Sequence, residues 1–576
     1  MPPPRQPSAS EIRRELEAIL ASPPFLNSTR SSRFLRFIVE ESLAGRAGRL
    51  RSKLRQYYDS ASPRPDITID LPKGGYTPEF RTRPVRRRLT LLLAASALLA
   101  VAVVSLGLLA YSSPGRRPTI AVLPFDDLGA GHDSAYLCDG LVEDLTTALA
   151  RNPGLRVIAR GSAASFRRGE RLSAIGRALR ADRLVKGSVR NAGGRLRIAV
   201  QLVDAGDEAV LWSEAYDRSP AGVFDVHLEI AAAVAASLRA PPLRQPEGQS
   251  ARVAVSARAS ELYWKGRYAR KQAGAGAYTA CVEFYQQALA LEPRHARAHA
   301  ALAEAYGTMA FHNIGSPEDL IAKSRAAARR ALELDASLAE PQALLAWISF
   351  FHDWDWPQAE LGFRRAIALN PGYAKAHSWY ALGLVSRERF REAIIESRIA
   401  QEIDPLSYAA NSDLGVILYC ARRYDEAIAW ARKALGSDQK FTPARMLLGM
   451  CYSGLQRYDE AIAEYQRAFS GQDRYAYMLG RLGYAYAASG RHGEARKLIA
   501  ELDRPRGGGE EETYHVQIAL IHAGLRDTAK VNEQLEQACR RREADLNFLL
   551  VEPSFDSVRA DAAFNGLLRR IGLTAP

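Results

Sequence analysis

The chain has 576 residues, 47% of them apolar and 25% charged, an ordinary balance for folded protein spread over a length too great for one core. Its formal net charge is +14, and residues 1–88 hold 18 Lys and Arg against 9 Asp and Glu, so most of the excess sits at one end. A local excess of this kind points to nucleic acid, an anionic membrane face or a topology signal. The five cysteines, Cys138, Cys281, Cys420, Cys451 and Cys539, form no CxxC pair, which argues against a zinc site and a disulfide framework.

Residues 1–88 read as two helices, a short basic stretch and a hairpin. Ser8 and Glu11 have capping-box spacing ahead of Ile12, Leu16, Ile19 and Leu20. Phe34, Leu35, Ile38, Val39 and Leu43 give the apolar face of a second helix. RLRSKLRQYY (49–58) is basic, and DITIDLPKGGYTPEF (66–80) alternates around Gly74-Gly75 as a hairpin does. The words SRFLRFIVEESLAG, RSKLRQYY and ITIDLPKGGYTPEF resemble the winged-helix domain of membrane-anchored bacterial regulators of the CadC/ToxR type. The resemblance implies DNA or phosphate contacts from Arg49, Arg51, Lys53 and Arg55, with Lys73 on the wing. The chain is shortened between Leu50 and Arg51, where that family carries a further helix and the start of its recognition helix. About two turns are then left to enter a major groove. Two readings stay open: a DNA-binding segment, or a truncated one whose cations only set topology.

LTLLLAASALLAVAVVSLGLLAY (89–111) carries no charge. About 20 apolar residues cross a bilayer as a helix. The run lies too far from the start for a signal peptide. Arg81, Arg83 and Arg86 to Arg88 precede it, against Arg116 and Arg117 after it. The more basic flank stays inside, so the expectation is a bacterial inner-membrane protein with a cytoplasmic amino terminus, a linker at 112–117, and residues 112–576 in the periplasm.

Residues 118–240 predict a small α/β domain. TIAVLPF and LRVIAR read as strands, residues 134–152 as a helix, and 174–180 as a short one. RLRIAVQLVDA places Leu196, Ile198, Val200 and Leu202 on one strand face, behind a turn at 191–194. VLWSEAYD (210–217) adds a strand and 222–239 a closing helix. Asp139, Glu143 and Asp144 stand near a helix start, where carboxylates favour the macrodipole, and no nucleophile or base accompanies them. His132 and Asp133 have no second ligand set, and no phosphate-binding glycine motif occurs. No cofactor, metal or catalytic constellation is expected, so the chain is not read as an enzyme. The words IAVLPFDDL, DGLVEDLTTAL, LRVIARGSA, LVKGSVR and LWSEAYDR resemble the amino-terminal domain of TolB and FlgO-like lipoproteins, which implies an envelope interaction module.

Beyond a linker at 241–258, residues 259–545 are repetitive. Ala359, Ala393, Ala427, Ala461 and Ala495 recur every 34 residues, four of them behind a Glu, and Ala366, Ala400, Ala434 and Ala468 follow seven residues later. ALALEP, AIALNP and AQEIDP close second helices with Pro. The pattern resembles the tetratricopeptide repeat and counts to about seven units. Cys420 and Cys451 fall in the first helices of successive units, where a bridge requires close Cβ atoms. Trp354 and Trp356 read as a loop plug, and residues 546–576 as a closing cap. The resemblance implies that first helices line a peptide groove, here through Trp347, Phe350, Phe351, Lys375, Ser378, Tyr419, Met446 and Met450. Stripes at this spacing also serve as inter-repeat core.

The fold class is therefore multidomain: an α-solenoid of tetratricopeptide repeats, a small α/β domain, one transmembrane helix and a truncated winged-helix-like segment. The function expected first is a single-span scaffold or sensor that binds a protein or peptide partner in the cell envelope. The alternative is a one-component transcriptional regulator with DNA as a second partner. No small-molecule substrate is evident.

Overall fold

In a computed structural model the described residues are 8–21, 29–44, 67–70, 79–82, a few positions between 52 and 59, and, apart from short internal stretches, 117–573. They fall into two compact units, divided after Arg116. In the first unit the helix Ala9–Leu20 opens on the capping box read from sequence: Ser8 Oγ accepts from the Glu11 amide, and the Glu11 carboxylate accepts from the Ser8 amide. Thr29–Leu43 packs beside it, with Arg13 forked onto Glu40 and Arg36 onto Glu17 at 2.7–3.0 Å. Strands β1 (Ile67–Asp70) and β2 (Glu79–Thr82) form the antiparallel hairpin. The stretch 89–111 lies outside the described residues. Among those described, no helix is long and apolar enough to cross a membrane.

The second unit begins with a sheet of order β5-β3-β6-β7-β8: β3 Thr119–Val122, β5 Arg156–Ile158, β6 Arg183–Ala192, β7 Arg195–Asp204 and β8 Val210–Arg218. A two-residue strand absent from the sequence reading, β4 (Asp126–Asp127), pairs with β6. β3 runs parallel to β5 and β6, β4 runs parallel to β6, and the β6–β7 and β7–β8 pairs are antiparallel. Alternation along β3 sends Ile120 and Val122 to a core with helices Ala135–Ala150 and Val226–Ser237. Ala121 goes to the opposite face, against helix Leu172–Leu179. Leu196, Ile198, Val200 and Leu202 all face the larger core, as their spacing requires.

That core does not stop at the domain edge. Trp264, Tyr285 and Leu302 from the first repeats belong to it. The solenoid is built of helix pairs. Ala257–Ala269 pairs with Ala275–Leu291, Ala296–Phe311 with Pro317–Leu334, Ala339–Ile348 with Trp356–Leu369, and Ala374–Val385 with Phe390–Ile403. Tyr408–Cys420 pairs with Tyr424–Ser437, Thr442–Gly454 with Tyr458–Ala468, Ala476–Ala488 with His492–Leu502, and His515–Gly524 with Thr528–Arg540. Among the described residues these are eight pairs, against about seven units counted in the sequence.

All five alanines of the ladder are fully buried. A larger side chain there has no room between the two helices of a pair. Gly449 shows the same constraint, since a Cβ on it would stand 2.5 Å from the Tyr465 ring. The turn between paired helices repeats as well. Glu388, Arg422 and Gln456 hold φ of 59°, 61° and 58°, and Gly490 follows in step at 84°. Only one of these left-handed positions uses the residue best suited to it.

The aromatic phrase at 350–356 differs from the loop plug read from sequence. Ser349–Asp353 is a π-helical turn continuing the preceding helix. Trp356 starts the next helix, packed on Phe350 and stacked on Tyr380. Trp354 sits at φ 58° under the Arg542 guanidinium. The five cysteines are free thiols.

Candidate functional site

Two junctions shape the solenoid. The α/β domain meets the first repeat through carboxylates of helix Ala135–Ala150. Asp144, 6% exposed, accepts from Trp264 Nε1 at 3.3 Å, Arg267 at 3.0 Å and Arg297 at 3.2 Å. Glu143 pairs with Arg267, and Asp139 with Arg160 and Lys271. Burial, helped by the neighbouring Arg160 charge, pulls the Lys271 ammonium down to about 7. Burial likewise lowers the Arg267 guanidinium to about 10. These carboxylates lie beyond the first turn of their helix. Ion pairing across the junction, rather than the macrodipole expected from sequence, accounts for them.

The same domain touches the fourth pair. The Ala159 amide donates to the Ile403 carbonyl at 2.7 Å, and Asp404 accepts from the Ser162 amide at 3.1 Å and from its hydroxyl. The domain is thus a strut between the first and fourth repeats.

The second junction is the carboxy-terminal cap: 3-10 turns Ala544–Phe548 and Pro553–Val558 and the helix Ala562–Arg570. It folds back across the first-helix face of the array. Glu552 meets Arg481 at 2.7 Å, both 7% exposed, and accepts from the Tyr419 hydroxyl at 2.7 Å. Burial alone would raise the Glu552 carboxyl, but the Arg481 charge holds it down to about 2. Arg542 donates to the His352 carbonyl at 2.6 Å, and Phe548 lies 6.3 Å from Phe351.

Between cap and array is a cavity of about 510 Å³. Of the residues expected in the groove, it gathers Trp347, Phe351, Lys375 and Met450. Phe350 and Tyr419 are instead in the inter-repeat core, and Ser378 is buried off the cavity beside Asp413. Met446 is half-buried and does not line it. Trp347 packs 4.8 Å from Phe351 and 5.7 Å from Trp379. Lys375 stands over Trp379 and bonds Glu304 at 2.6 Å, while Arg270 holds the same carboxylate at 2.7 Å.

The sequence reading missed Asp413, Asp545 and Glu552, which also line the cavity. Burial raises the Asp413 carboxyl to about 7 and lifts Asp545 as well. Charged residues inside a repeat array are a signal, but their partners lie too far along the chain for spacing to reveal. Of the expected phosphate contacts, Arg55 is exposed, and Arg49, Arg51, Lys53 and Lys73 lie outside the described residues, as do His132 and Asp133. Among the described residues no cluster of His, Cys, Asp and Glu is placed to hold a metal.

Residues 116–231 match the second domain of HilA/YgeH-like transcriptional regulators. Residues 442–470 match the tetratricopeptide repeat. The regulator-like domain and the repeats are the two parts joined by the Asp144 junction. "Putative adenylate cyclase 3" of Rhizobium meliloti (strain 1021) is 31% identical over 229 residues, 39% of this chain and 39% of that protein. The chain therefore spans well under half of that relative. Among solved structures, Pseudomonas aeruginosa PilF is similar at TM-score 0.28 and 19% identity, over 36% of this chain and 94% of its own. The repeat protein YrrB is similar at TM-score 0.23 and 20% identity, over 30% and 89%.

Proposed function

We propose that this chain is a single-span inner-membrane protein whose regulator-like domain and repeat array form one binding and sensing unit on the periplasmic side. The observation that carries the reading is the fusion itself: a domain similar to part of a transcriptional regulator is welded by buried ion pairs to a repeat solenoid. Solenoids of this kind present extended binding surfaces, and a shared core lets an event in the array reach the domain. The uncharged run at 89–111 and the arginines before it support the span and its direction. An envelope partner rests on the resemblance of the sequence words in 118–240 to TolB.

The regulator-domain match also favours a second reading, in which the unit controls DNA binding by residues 1–88. The role is binding, not catalysis; the cyclase name belongs to the relative. Three measurements on the full chain test this. A reporter fused at the carboxy terminus is expected to be active only outside the cytoplasm, and cytoplasmic activity would refute the topology. Chromatin capture through a tagged amino terminus is expected to enrich discrete sites under the second reading, and uniform, salt-sensitive recovery would leave only phosphate attraction. Purified protein given ATP and a divalent cation is expected to form no cyclic AMP.

A further inference from the structure

The cap changes what the concave face accepts. Tetratricopeptide grooves are open to an extended chain, but here residues 544–558 cross that face and leave a partly open cavity of about 510 Å³. A space of that size suits a small molecule with most of its surface buried.

The lining specifies its chemistry. One wall is aromatic: Trp347, Phe351 and Phe548. Each lining cation already has a carboxylate, Lys375 with Glu304 and Arg481 with Glu552. Among the described residues, two lining carboxylates have only neutral bonding partners. Asp413 has the Ser378 hydroxyl, and Asp545 has the Gln517 amide at 2.6 Å. The pocket therefore offers two carboxyl groups with no cation bonded to them beside π-faces, a combination that suits a cation with an apolar body.

We propose that this cavity binds a small organic cation, an amine carrying an aromatic or short aliphatic group, with its charge held by Asp413 and Asp545 and its body against Trp347, Phe351 and Phe548. The ligand lies where the cap meets the array, so its binding fastens the cap. This goes beyond the proposed function and holds whether or not residues 1–88 engage DNA.

The titratable groups facing Asp413 across the cavity are Glu304, Lys375, Cys420, Tyr477, Arg481, Asp545 and Glu552. Burial holds Asp413 protonated up to about pH 7, and a bound cation favours its ionised form. Affinity then rises as pH rises through 7, and binding near pH 7 releases a proton.

Calorimetry on the detergent-solubilised full chain tests this with three probes of one shape: 2-phenylethylamine, 2-phenylethanol and 3-phenylpropionate. The amine is expected to bind at least about tenfold more tightly than the alcohol, the scale of a charge-assisted contact, and the acid not to bind. The amine's enthalpy is expected to depend on the buffer's ionisation enthalpy near pH 7, as proton release requires. Asp413→Asn is expected to erase the amine's advantage while leaving alcohol binding in place. Equal affinity for amine and alcohol, no binding of either, or an unchanged preference in Asp413→Asn would overturn the proposal. Should that variant fail to fold, the probe comparison and the buffer dependence in the unaltered chain still decide it. DNA recovery by the full chain is read separately, so failure here is distinct from failure of the regulatory reading.

Discussion

The solenoid is closed twice by a buried carboxylate facing arginine, and the two closures are built differently. At the α/β junction Asp144 has three donors, and Arg267 has a second acid in Glu143. Aromatic rings cover the site, with Trp264 lying on Gly140 and 4.7 Å from Phe224. At the cap, Glu552 also has three donors, but only Arg481 carries charge; the Tyr419 hydroxyl and the Ser554 amide are neutral, and the pair borders the cavity. The first closure gives its carboxylate two cations, Arg267 and Arg297; the second gives one and borders the cavity. A redundant network survives loss of one member, whereas a lone pair leaves its survivor buried and uncompensated. The contrast predicts that the α/β junction, the weld, is the firmer closure and the cap the one more easily released.

Removing one half of the lone pair gives the largest expected effect. Arg481→Met leaves Glu552 enclosed with only neutral donors, the Tyr419 hydroxyl and the Ser554 amide, at a cost of about 3–5 kcal/mol by the behaviour of broken buried pairs. Urea unfolding of the full chain measures it. Adding Glu552→Gln is expected to recover much of that loss, because two neutral groups no longer strand a charge. A loss below ~1 kcal/mol for the single variant would show that the pair does not hold the cap.

Asp144→Asn tests the redundant side. Arg267 keeps Glu143, and Arg297 is partly exposed, so the expected cost is near 2 kcal/mol, that of a charged hydrogen bond. Equality with Arg481→Met would erase the contrast between the closures. Gly140→Ala probes the apolar part of the same weld. Its Cβ would stand 2.3 Å from the Trp264 ring, and such overpacking costs about 1–3 kcal/mol. Thermal unfolding is expected to show that loss, with no change in amine binding at the distant cavity.

The weld and the latch also mark where sequence stops informing. The alanine ladder was legible because the fold demands small residues at a fixed 34-residue period, whatever lies further along the chain. The Ser8–Glu11 box and the faces of β7 were legible for the same reason, being local geometry. Asp144 meets Arg267 across 123 positions, and Asp404 meets Ser162 across 242. No period links such residues, so Asp144 reads from sequence only as a carboxylate near a helix start. The expected groove residues divide between cavity and core for a related reason. Helical spacing gives a face but not its neighbour, and the cap that separates cavity-lining Phe351 from core Phe350 arrives almost 200 residues later.

The smallest expected effect tests the cap's rim. Arg422 pairs with Asp556 at 2.7 Å, but the two side chains are 37% and 52% exposed, so water and salt screen the attraction. Arg422→Ala is expected to cost under ~1 kcal/mol, and less at high salt. Arg422 also occupies one of the left-handed turns, at φ 61°, where a Cβ is unfavourable by about 1 kcal/mol. Arg422→Gly removes the same ion pair and relieves that backbone strain. It is expected to be more stable than Arg422→Ala and close to the unaltered chain. Paired denaturation curves at low and high salt separate the two contributions, since only the ion pair responds to salt. If Arg422→Gly were as destabilised as Arg481→Met, the rim would hold the cap as firmly as the buried pair, and the cap would be a second weld.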